Sequence, residues 1–488
     1  MARARRSNAV LAAFAAPSLP LAALGLPLVV YLPNYYSETL GLSVGMVGAA
    51  FLFIRLFDIA FDPFFGTVLD RTGWRVGRFK PWMAIGAPIV VAASAMLFMA
   101  HAGVGQLYLW AGLGIVYGAF SICVLSHSAW ASTLSADYHQ RSRVYAFWQT
   151  GNVVGMILVI MLPVVLSAMF KDPGQLAGLL APDMVSKLGV EQAAYAARVR
   201  AMGWFIVILL PLTTLLAVLA VDEPRITVDA NEKRATPADY LRMLKLPTVL
   251  RILTADLLMA LGPGIAGSLF FFFFERVKGF EKTEAEMLLM VYFCAAVLGA
   301  PVWVWLSKRF GKHGVLMASS LLYAAVQLGV FILPNGNFLA AVPFIIFAGL
   351  PYSAAPFLLR AMLADVSDEE RLRTGVDRTG LLYAILVGTV KIGSALAVTT
   401  FIILGWLGFN AHDPAQSTQA GMTGLMVFYA VAPGLMGVLA ALTMMNYPLT
   451  EARHAEIRAQ LDDRQPVLPP VPGDIAVLQP NVAQNPAE

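Results

Sequence analysis

Residues 44–69 read VGMVGAAFLFIRLFDIAFDPFFGTVL, a run of 26 residues that is apolar except for Arg55, Asp58 and Asp62. A helix of this length rises about 39 Å, enough to cross the roughly 30 Å hydrocarbon core of a bilayer. Charged residues inside such a span are costly and commonly functional. The stretch therefore predicts a membrane-spanning helix that carries a polar functional site.

The composition of the whole chain agrees with a membrane protein of many spans. Its 488 residues are 58% hydrophobic and 13% charged, whereas an ordinary soluble domain has about 25% charged residues. These values exclude a soluble enzyme with one core, and also a disordered or collagen-like chain. The net charge of +4 comes from basic residues spread over many loops, which predicts no nucleic-acid partner. Cys123 and Cys294 form neither a disulfide framework nor a metal-binding spacing.

Eleven further apolar stretches each exceed the roughly 18 residues that a membrane helix needs, so we expect an all-α membrane protein with twelve transmembrane helices. No small-residue cleavage site follows the first stretch, which predicts a retained helix rather than a signal peptide. The twelve helix cores are expected near 9–36, 44–69, 82–101, 106–134, 144–169, 197–221, 250–275, 284–307, 314–333, 338–362, 380–408 and 421–446.

Basic residues are concentrated in the loops after the even-numbered spans. Cytoplasmic loops carry the excess of Lys and Arg in membrane proteins, so both termini are predicted to be cytoplasmic, in a plasma (inner) membrane. The opposite loops carry few basic residues, with exceptions at Lys171, Lys187, Lys278 and Lys282. The residues that decide the orientation are Arg71, Arg75, Arg78, Lys80, Arg141, Arg143, Arg225, Lys233, Arg234, Arg242, Lys245, Lys308, Arg309, Lys312, Arg371, Arg373 and Arg378.

The polar segment in the middle of the chain divides it into two similar halves. We expect a six-helix bundle over 1–221, a cytoplasmic linker over 222–248, a second six-helix bundle over 249–447, and a cytoplasmic tail over 448–488. The tail is charged and then proline-rich, which predicts disorder beyond about residue 465. Similar basic and glycine-containing segments close spans 2 and 8, and duplicated transporters of this kind place the solute site between their halves.

Asp58 and Asp62 are the first candidate site residues. They are four residues apart and share one helix face, and two buried carboxylates repel unless they hold a proton or share a cation. Pro63 lacks an N–H and frees the carbonyl of Ile59 one turn earlier, which adds an oxygen for a proton relay or a sodium site. The alternative is a structural salt bridge between Arg55 and Asp58, with Asp62 nearer the interface.

Lys391 is the second candidate, because it lies far from either end of span 11 and cannot easily reach water. It needs an acidic partner or an anionic ligand. The alternative is a purely structural ion pair with one of the span 2 acids.

Other polar and aromatic residues are weaker candidates. Asp256 is either a cavity acid or an interfacial residue. Tyr31, His127 and Trp148 are possible solute contacts, although such residues more commonly serve packing. The sequence contains no phosphate loop, no HExxH and no GxSxG motif, so we expect neither an enzyme nor a cofactor, and no metal beyond a possible sodium ion.

Several motifs resemble the glycoside–pentoside–hexuronide:cation symporters of the major facilitator superfamily. They are the acidic pattern of 58–66, the GRFKPW segment of 77–82, the MLADVSDEERLRTG segment of 362–375, and Lys391 on span 11. The resemblance covers about 8–447. It implies the major facilitator fold, two pseudo-symmetric six-helix bundles that work as a monomer.

The resemblance also implies roles for individual residues. Asp58 and Asp62 would bind the coupling cation, with the Ser121 hydroxyl contributing and Lys391 close to both the cation and the solute. Charges at the cytoplasmic side would form a gate; the corresponding residues here are Asp70, Arg71, Arg78, Arg141 and Asp365.

The sequence departs from the family's melibiose permeases at four positions. The sugar-binding acid of helix 1 is replaced by Ala22, a polar residue of helix 4 by Val124, and the arginine of helix 5 by Gln149, which is itself a candidate solute residue. The changes to Ala22 and Gln149 remove charged side chains, which are strong hydrogen-bond partners for sugar hydroxyls. An asparagine that helps hold sodium is replaced by Phe61, which favours proton coupling without excluding sodium.

We therefore expect a proton- or sodium-coupled symporter that imports a small solute, a sugar or glycoside, by alternating access. One alternative is a symporter for a lysophospholipid or another amphipathic solute, with Lys391 at the headgroup. A second alternative is a membrane sensor that binds its solute without moving it.

Overall fold

The computed structural model describes residues 7–74, 76–101, 103–135, 137–170, 172–180, 182–223, 242–409 and 417–464, and the regular structure in these ranges is helical. The helices are α1 (Asn8–Ala15 and Ser18–Leu26, continued by Pro27–Tyr31, Leu32–Asn34 and Tyr35–Thr39), α2 (Val44–Arg71), α3 (Lys80–Phe98), α4 (Gln106–Thr133), α5 (Tyr138–Met169), α6 (Val190–Ala220), α7 (Pro247–Phe272, continued by Phe273–Val277), α8 (Lys282–Phe310), α9 (Lys312–Gly329, continued by Val330–Ile332), α10 (Phe338–Gly349 and Ala354–Thr374, joined by Leu350–Ser353), α11 (Thr379–Trp406), α12 (Gln419–Met426, Val427–Val431 and Ala432–Thr443) and α13 (Glu451–Arg464). Two short helices, Pro173–Ala177 and Pro182–Leu188, lie between α5 and α6.

The helix lengths agree with the predicted number of spans. Among the described residues, eleven helices are long and apolar enough to cross a membrane. The 28-residue helix α2, which carries the charged residues of span 2, supplies the twelfth. We call α1–α6 the N half and α7–α12 the C half. We call the side of the protein that carries the loops after the even-numbered helices the basic face.

Several helices extend beyond the apolar cores expected from the sequence. α5 begins at Tyr138 instead of 144, and α10 ends at Thr374 instead of 362. Hydropathy detects only the apolar part of a helix. The polar ends are helical because their charged residues, such as Arg141 and Asp365, find partners at the basic face.

Two predicted segments lie partly outside the described residues. Of the linker predicted over 222–248, residues 224–241 are outside the described ranges, with Arg225, Lys233 and Arg234 among them. The tail predicted over 448–488 begins with the ordered helix α13, and its residues 465–488, where disorder was expected, are also outside. So are Arg75 and Lys171.

The hydrophobic core shows how the two halves meet. One cluster combines N-half residues such as Trp130 and Tyr145 with C-half residues such as Phe357 and Tyr383, all near the basic face. The other two clusters each belong to one half and lie toward the opposite face. The halves therefore share a core at the basic face and have separate cores toward the opposite face.

Glycines let the halves approach closely where α2 crosses α11. A β-carbon on Gly66 would lie 2.9 Å from the carbonyl oxygen of Gly380, and a β-carbon on Gly380 would lie 2.8 Å from the carbonyl oxygen of Gly66. Such distances are too short for a carbon and an oxygen that are not bonded. Small residues are the usual means of close helix packing in membranes, and here they join the N half to the C half.

Candidate functional site

The acids of α2 and the lysine of α11 meet across the boundary between the halves. Lys391 Nζ lies 2.6 Å from Asp58 Oδ2 and 2.7 Å from Asp62 Oδ2. It also donates a hydrogen bond of 2.8 Å to Ser121 Oγ, and this hydroxyl donates one of 2.6 Å to Asp58 Oδ1. We call these four residues the lysine centre. The residues singled out from sequence and resemblance as the cation site are thus in direct contact.

Burial makes the charges of the lysine centre interact strongly. Asp62 has no exposed surface, Asp58 is 3% exposed and the Lys391 side chain is 14% exposed. Two ionised carboxylates and one ammonium leave a net charge of −1, which a proton or a monovalent cation would neutralise. Among the described residues, neither oxygen of Asp62 has a hydrogen bond of good geometry. This carboxylate is therefore held by charge attraction to Lys391.

The alternative ion pair within α2 is not formed. In the described part of the chain, Asp58 lies within 4.0 Å of Lys391 and not of Arg55. The four-residue spacing of the acids correctly placed both on one face, and that face is turned toward the C half.

A second charged group lies between α5, α7, α10 and α11. The Arg360 guanidinium stacks on the Trp148 ring, with its central carbon 4.5 Å from the ring centroid. Asp256, which is near enough to interact electrostatically with this guanidinium, accepts a hydrogen bond of 2.5 Å from Thr389 Oγ1. Gln149, next to Trp148, is buried. The predicted solute residues Trp148 and Gln149 therefore lie beside an arginine that the sequence analysis did not single out.

Two of the predicted solute contacts lie elsewhere. His127 is fully buried against α1, where Nε2 lies 2.8 Å from the Phe14 carbonyl oxygen and the two rings are 4.5 Å apart. It packs between helices and has no exposed surface in this conformation. Tyr31 is half-buried in the second part of α1, and its carbonyl accepts a hydrogen bond of 3.3 Å from the Tyr195 hydroxyl.

Asp70 is the centre of one ion-pair network at the basic face. It lies 2.5 Å from Arg78 Nη2, and Arg78 Nη1 lies 3.1 Å from Asp377 Oδ2. Asp70 also accepts the backbone N–H groups of Gly380 and Leu381 at 2.6 and 2.8 Å. An N-half carboxylate thus caps the first turn of the C-half helix α11, where negative charge is favoured.

Arg141 is the centre of a second network. It lies 3.0 Å from Asp365 Oδ1 and 2.7 Å from Asp368 Oδ2, and Lys312 Nζ lies 2.5 Å from Asp365 Oδ2. Of the five predicted gate residues, Asp70, Arg78, Arg141 and Asp365 take part in these two networks. Arg71 is exposed at the end of α2.

The tail helix α13 adds to the second network. His454 Nε2 lies 3.0 Å from Asp368 Oδ2 and 3.2 Å from Arg141 Nη1, and it is 2% exposed. Glu451 Oε1 lies 2.8 Å from His139 Nε2 on α5. The tail therefore contacts both halves, which no local motif in its sequence indicated.

The sequence analysis also did not single out two acids outside the membrane helices, Glu223 and Asp377. Glu223 accepts the backbone N–H groups of Arg78, Phe79 and Lys80 at 2.8 to 3.1 Å, which fixes the start of α3. Burial raises the pKa of Glu223, although these donors oppose the rise. Burial alone would raise the pKa of Asp377 as well, but the Arg78 guanidinium lowers it below its usual value.

Comparison with known proteins identifies what this arrangement is similar to. A family model described as MFS/sugar transport protein matches residues 13–451. An isoprimeverose transporter of Lactiplantibacillus pentosus is 24% identical, over 89% of this chain and 89% of the relative. A glucuronide carrier protein homolog of Escherichia coli K12 is also 24% identical, over 91% of this chain and 93% of the relative.

Solved structures extend the comparison to the fold. The E. coli fucose:proton symporter covers 90% of this chain and 98% of its own length, with a TM-score of 0.63 and 15% identity. At this identity the likeness concerns the fold alone. It confirms the expected major facilitator fold of twelve helices in two bundles.

Proposed function

Because the chain belongs to the MFS/sugar transport protein family, which makes it an integral membrane transporter and not an enzyme, we propose that it imports a sugar or glycoside together with a cation. Relatives described as an isoprimeverose transporter and as a glucuronide carrier homolog support a small sugar-like solute. Either a proton or a sodium ion is the coupling cation in this proposal.

The observation that carries the proposal is the contact of Lys391 with Asp58 and Asp62. This ion pair joins the two halves and retains one surplus negative charge. A proton or sodium ion that neutralises the acids weakens their hold on Lys391. Cation binding thereby frees the C-half helix α11 to move against α2, which couples the cation to the rearrangement of the halves.

The orientation follows from the distribution of basic residues. We take the basic face as cytoplasmic, as the positive-inside rule indicates, which puts both termini in the cytoplasm of a plasma-membrane protein. The networks around Asp70 and Arg141 then close the cytoplasmic side. Transport would open these networks while the opposite side closes, with 1–221 and 249–447 moving as two bundles joined by 222–248. A monomer is sufficient for this cycle.

The test is uptake into proteoliposomes under an imposed proton gradient, an imposed sodium gradient, or neither. The solute panel contains labelled glycosides, pentosides and uronides. We expect accumulation of at least one sugar against its gradient with one of the two cations, and its loss when that gradient is collapsed. A sugar that binds the protein but shows no counterflow would contradict transport and favour a sensor.

A further inference from the structure

Arg360 is a buried cation without a carboxylate in contact. Arg360 is 7% exposed. Within the described residues, no carboxylate oxygen lies within 4.0 Å of its guanidinium. Nη1 donates a hydrogen bond of 3.0 Å to the Pro356 carbonyl oxygen of its own helix, and Nε has no partner in this part of the chain. Part of the planar donor fork is therefore unused.

The nearby acid does not occupy that fork. Asp256 is near enough to interact electrostatically with Arg360. It forms no ion pair within 4.0 Å in the described part of the chain, and its Oδ2 accepts the Thr389 hydroxyl at 2.5 Å. A buried arginine is strongly stabilised by an oxyanion that accepts two parallel N–H donors. Arg360 has the charge and the free donor for such a ligand.

The surroundings of Arg360 include an aromatic ring. Trp148 lies against one face of the guanidinium and comes from the other half of the protein. Gln149, next to Trp148, is buried and carries no charge. Arg360 supplies a positive charge at the same boundary from the C half.

Position along the helices places Arg360 between the lysine centre and the gate. It precedes Asp365 by five residues, a rise of about 7.5 Å. Thr389, which contacts Asp256, is two residues before Lys391 on α11. Helix α11 therefore touches both Asp256, which lies near Arg360, and the lysine centre. A ligand on Arg360 and a cation on Asp58 and Asp62 would act on the same helix.

We infer that Arg360 binds the anionic group of an acidic solute, with Trp148 stacking on the neighbouring part of that solute. The chemistry recognised is an oxyanion, either the carboxylate of an acidic sugar or the phosphate of an amphipathic lipid. The inference rests on the proposed transport function, whose solute class it narrows from sugars in general to anions.

Binding to the purified full chain, measured by isothermal titration calorimetry, tests the inference without requiring transport. Phenyl β-glucuronide is compared with the neutral phenyl β-glucoside, and lysophosphatidylglycerol with a monoacylglycerol of equal chain length. We expect one anion to bind at least tenfold more tightly than its neutral partner. R360Q should remove that preference, and R360K should retain part of it because the charge stays while the fork is lost. R309Q, at an exposed arginine of α8, is the matched control.

Each outcome of these experiments either supports or contradicts the anionic solute or the transport function. Preference for the glucuronide that is lost in R360Q assigns the carboxylate source, and the same pattern with the lysolipid assigns the phosphate source. Equal binding of anion and neutral partner, or an anion preference that R360Q leaves intact while the variant stays folded, would overturn the inference. Gradient-driven uptake of neutral sugars alone would overturn it and leave the proposed function standing. Anion binding with no counterflow would overturn the proposed function instead.

Discussion

Lys391 Nζ lies 2.7 Å from Asp62 Oδ2, although the two residues belong to different halves of the protein and are more than three hundred positions apart. The carboxylate has no exposed surface, and the ammonium is the cation that holds it. The state of this one pair therefore affects both the charge of the membrane interior and the contact between α2 and α11.

D62N is expected to abolish concentrative uptake. The amide removes the surplus negative charge of the lysine centre, so a cation has no net charge to neutralise. Solute exchange without a gradient should persist, because it needs no coupling. The measurement is accumulation compared with counterflow in the same vesicles, with D463N on exposed α13 as control. A D62N protein that still concentrates solute contradicts the coupling mechanism.

K391Q is expected to destabilise the protein, because it leaves two buried carboxylates without their cation. Removing one partner of a buried ion pair costs about 3–5 kcal/mol. The double variant D62N/K391Q should recover part of this loss, since it also removes one of the stranded acids. Thermal unfolding of the four proteins in a double-mutant cycle gives the coupling energy. Additive effects would mean that the contact contributes little.

D365N is expected to open the basic face. The change removes the negative charge that Arg141 and Lys312 share, while Asp368 remains in contact with Arg141. Val144, which is 1% exposed in the shared core, then becomes reachable. Labelling of V144C by a membrane-impermeant maleimide, in a cysteine-free background, should rise several-fold in vesicles with this face outward. D172N, at the opposite face, should leave the labelling unchanged.

The tail helix α13 is expected to hold the same network together. H454A removes the imidazole between Asp368 and Arg141, so V144C labelling should rise, but less than in D365N because the ion pairs persist. The control is R453A/E456A, which removes an ion pair on the exposed side of α13. Equal labelling in the control and in H454A would show that α13 does not stabilise the closed face.

The features that the sequence predicted are those that depend on the local pattern of residues. Hydropathy gave the twelve spans, and the four-residue spacing of Asp58 and Asp62 gave their common face. The resemblance supplied the grouping with Ser121 and Lys391. Contacts such as His454 with Asp368 or Glu223 with the start of α3 join distant segments through ordinary surface residue types. No spacing marks them.

Arg360 illustrates the same limit within the membrane. It lies close to the polar segment 365–374, so hydropathy treats it as the end of an apolar stretch. Only the tertiary structure turns it toward Trp148 from the other half and leaves its Nε without an acceptor among the described residues. For a related reason α10 extends beyond its predicted apolar core, since its polar end forms ion pairs that hydropathy does not detect.

The facing glycines of α2 and α11 have a mechanical consequence. Gly66 and Gly380 each sit where one added methyl group would strike the backbone of the other. G66A or G380A would therefore act as a wedge, forcing the helices apart at the level where Asp70 caps α11. Such a protein would be arrested with its basic face partly open, because the obstacle is a covalent part of the helix that neither cation nor solute can displace.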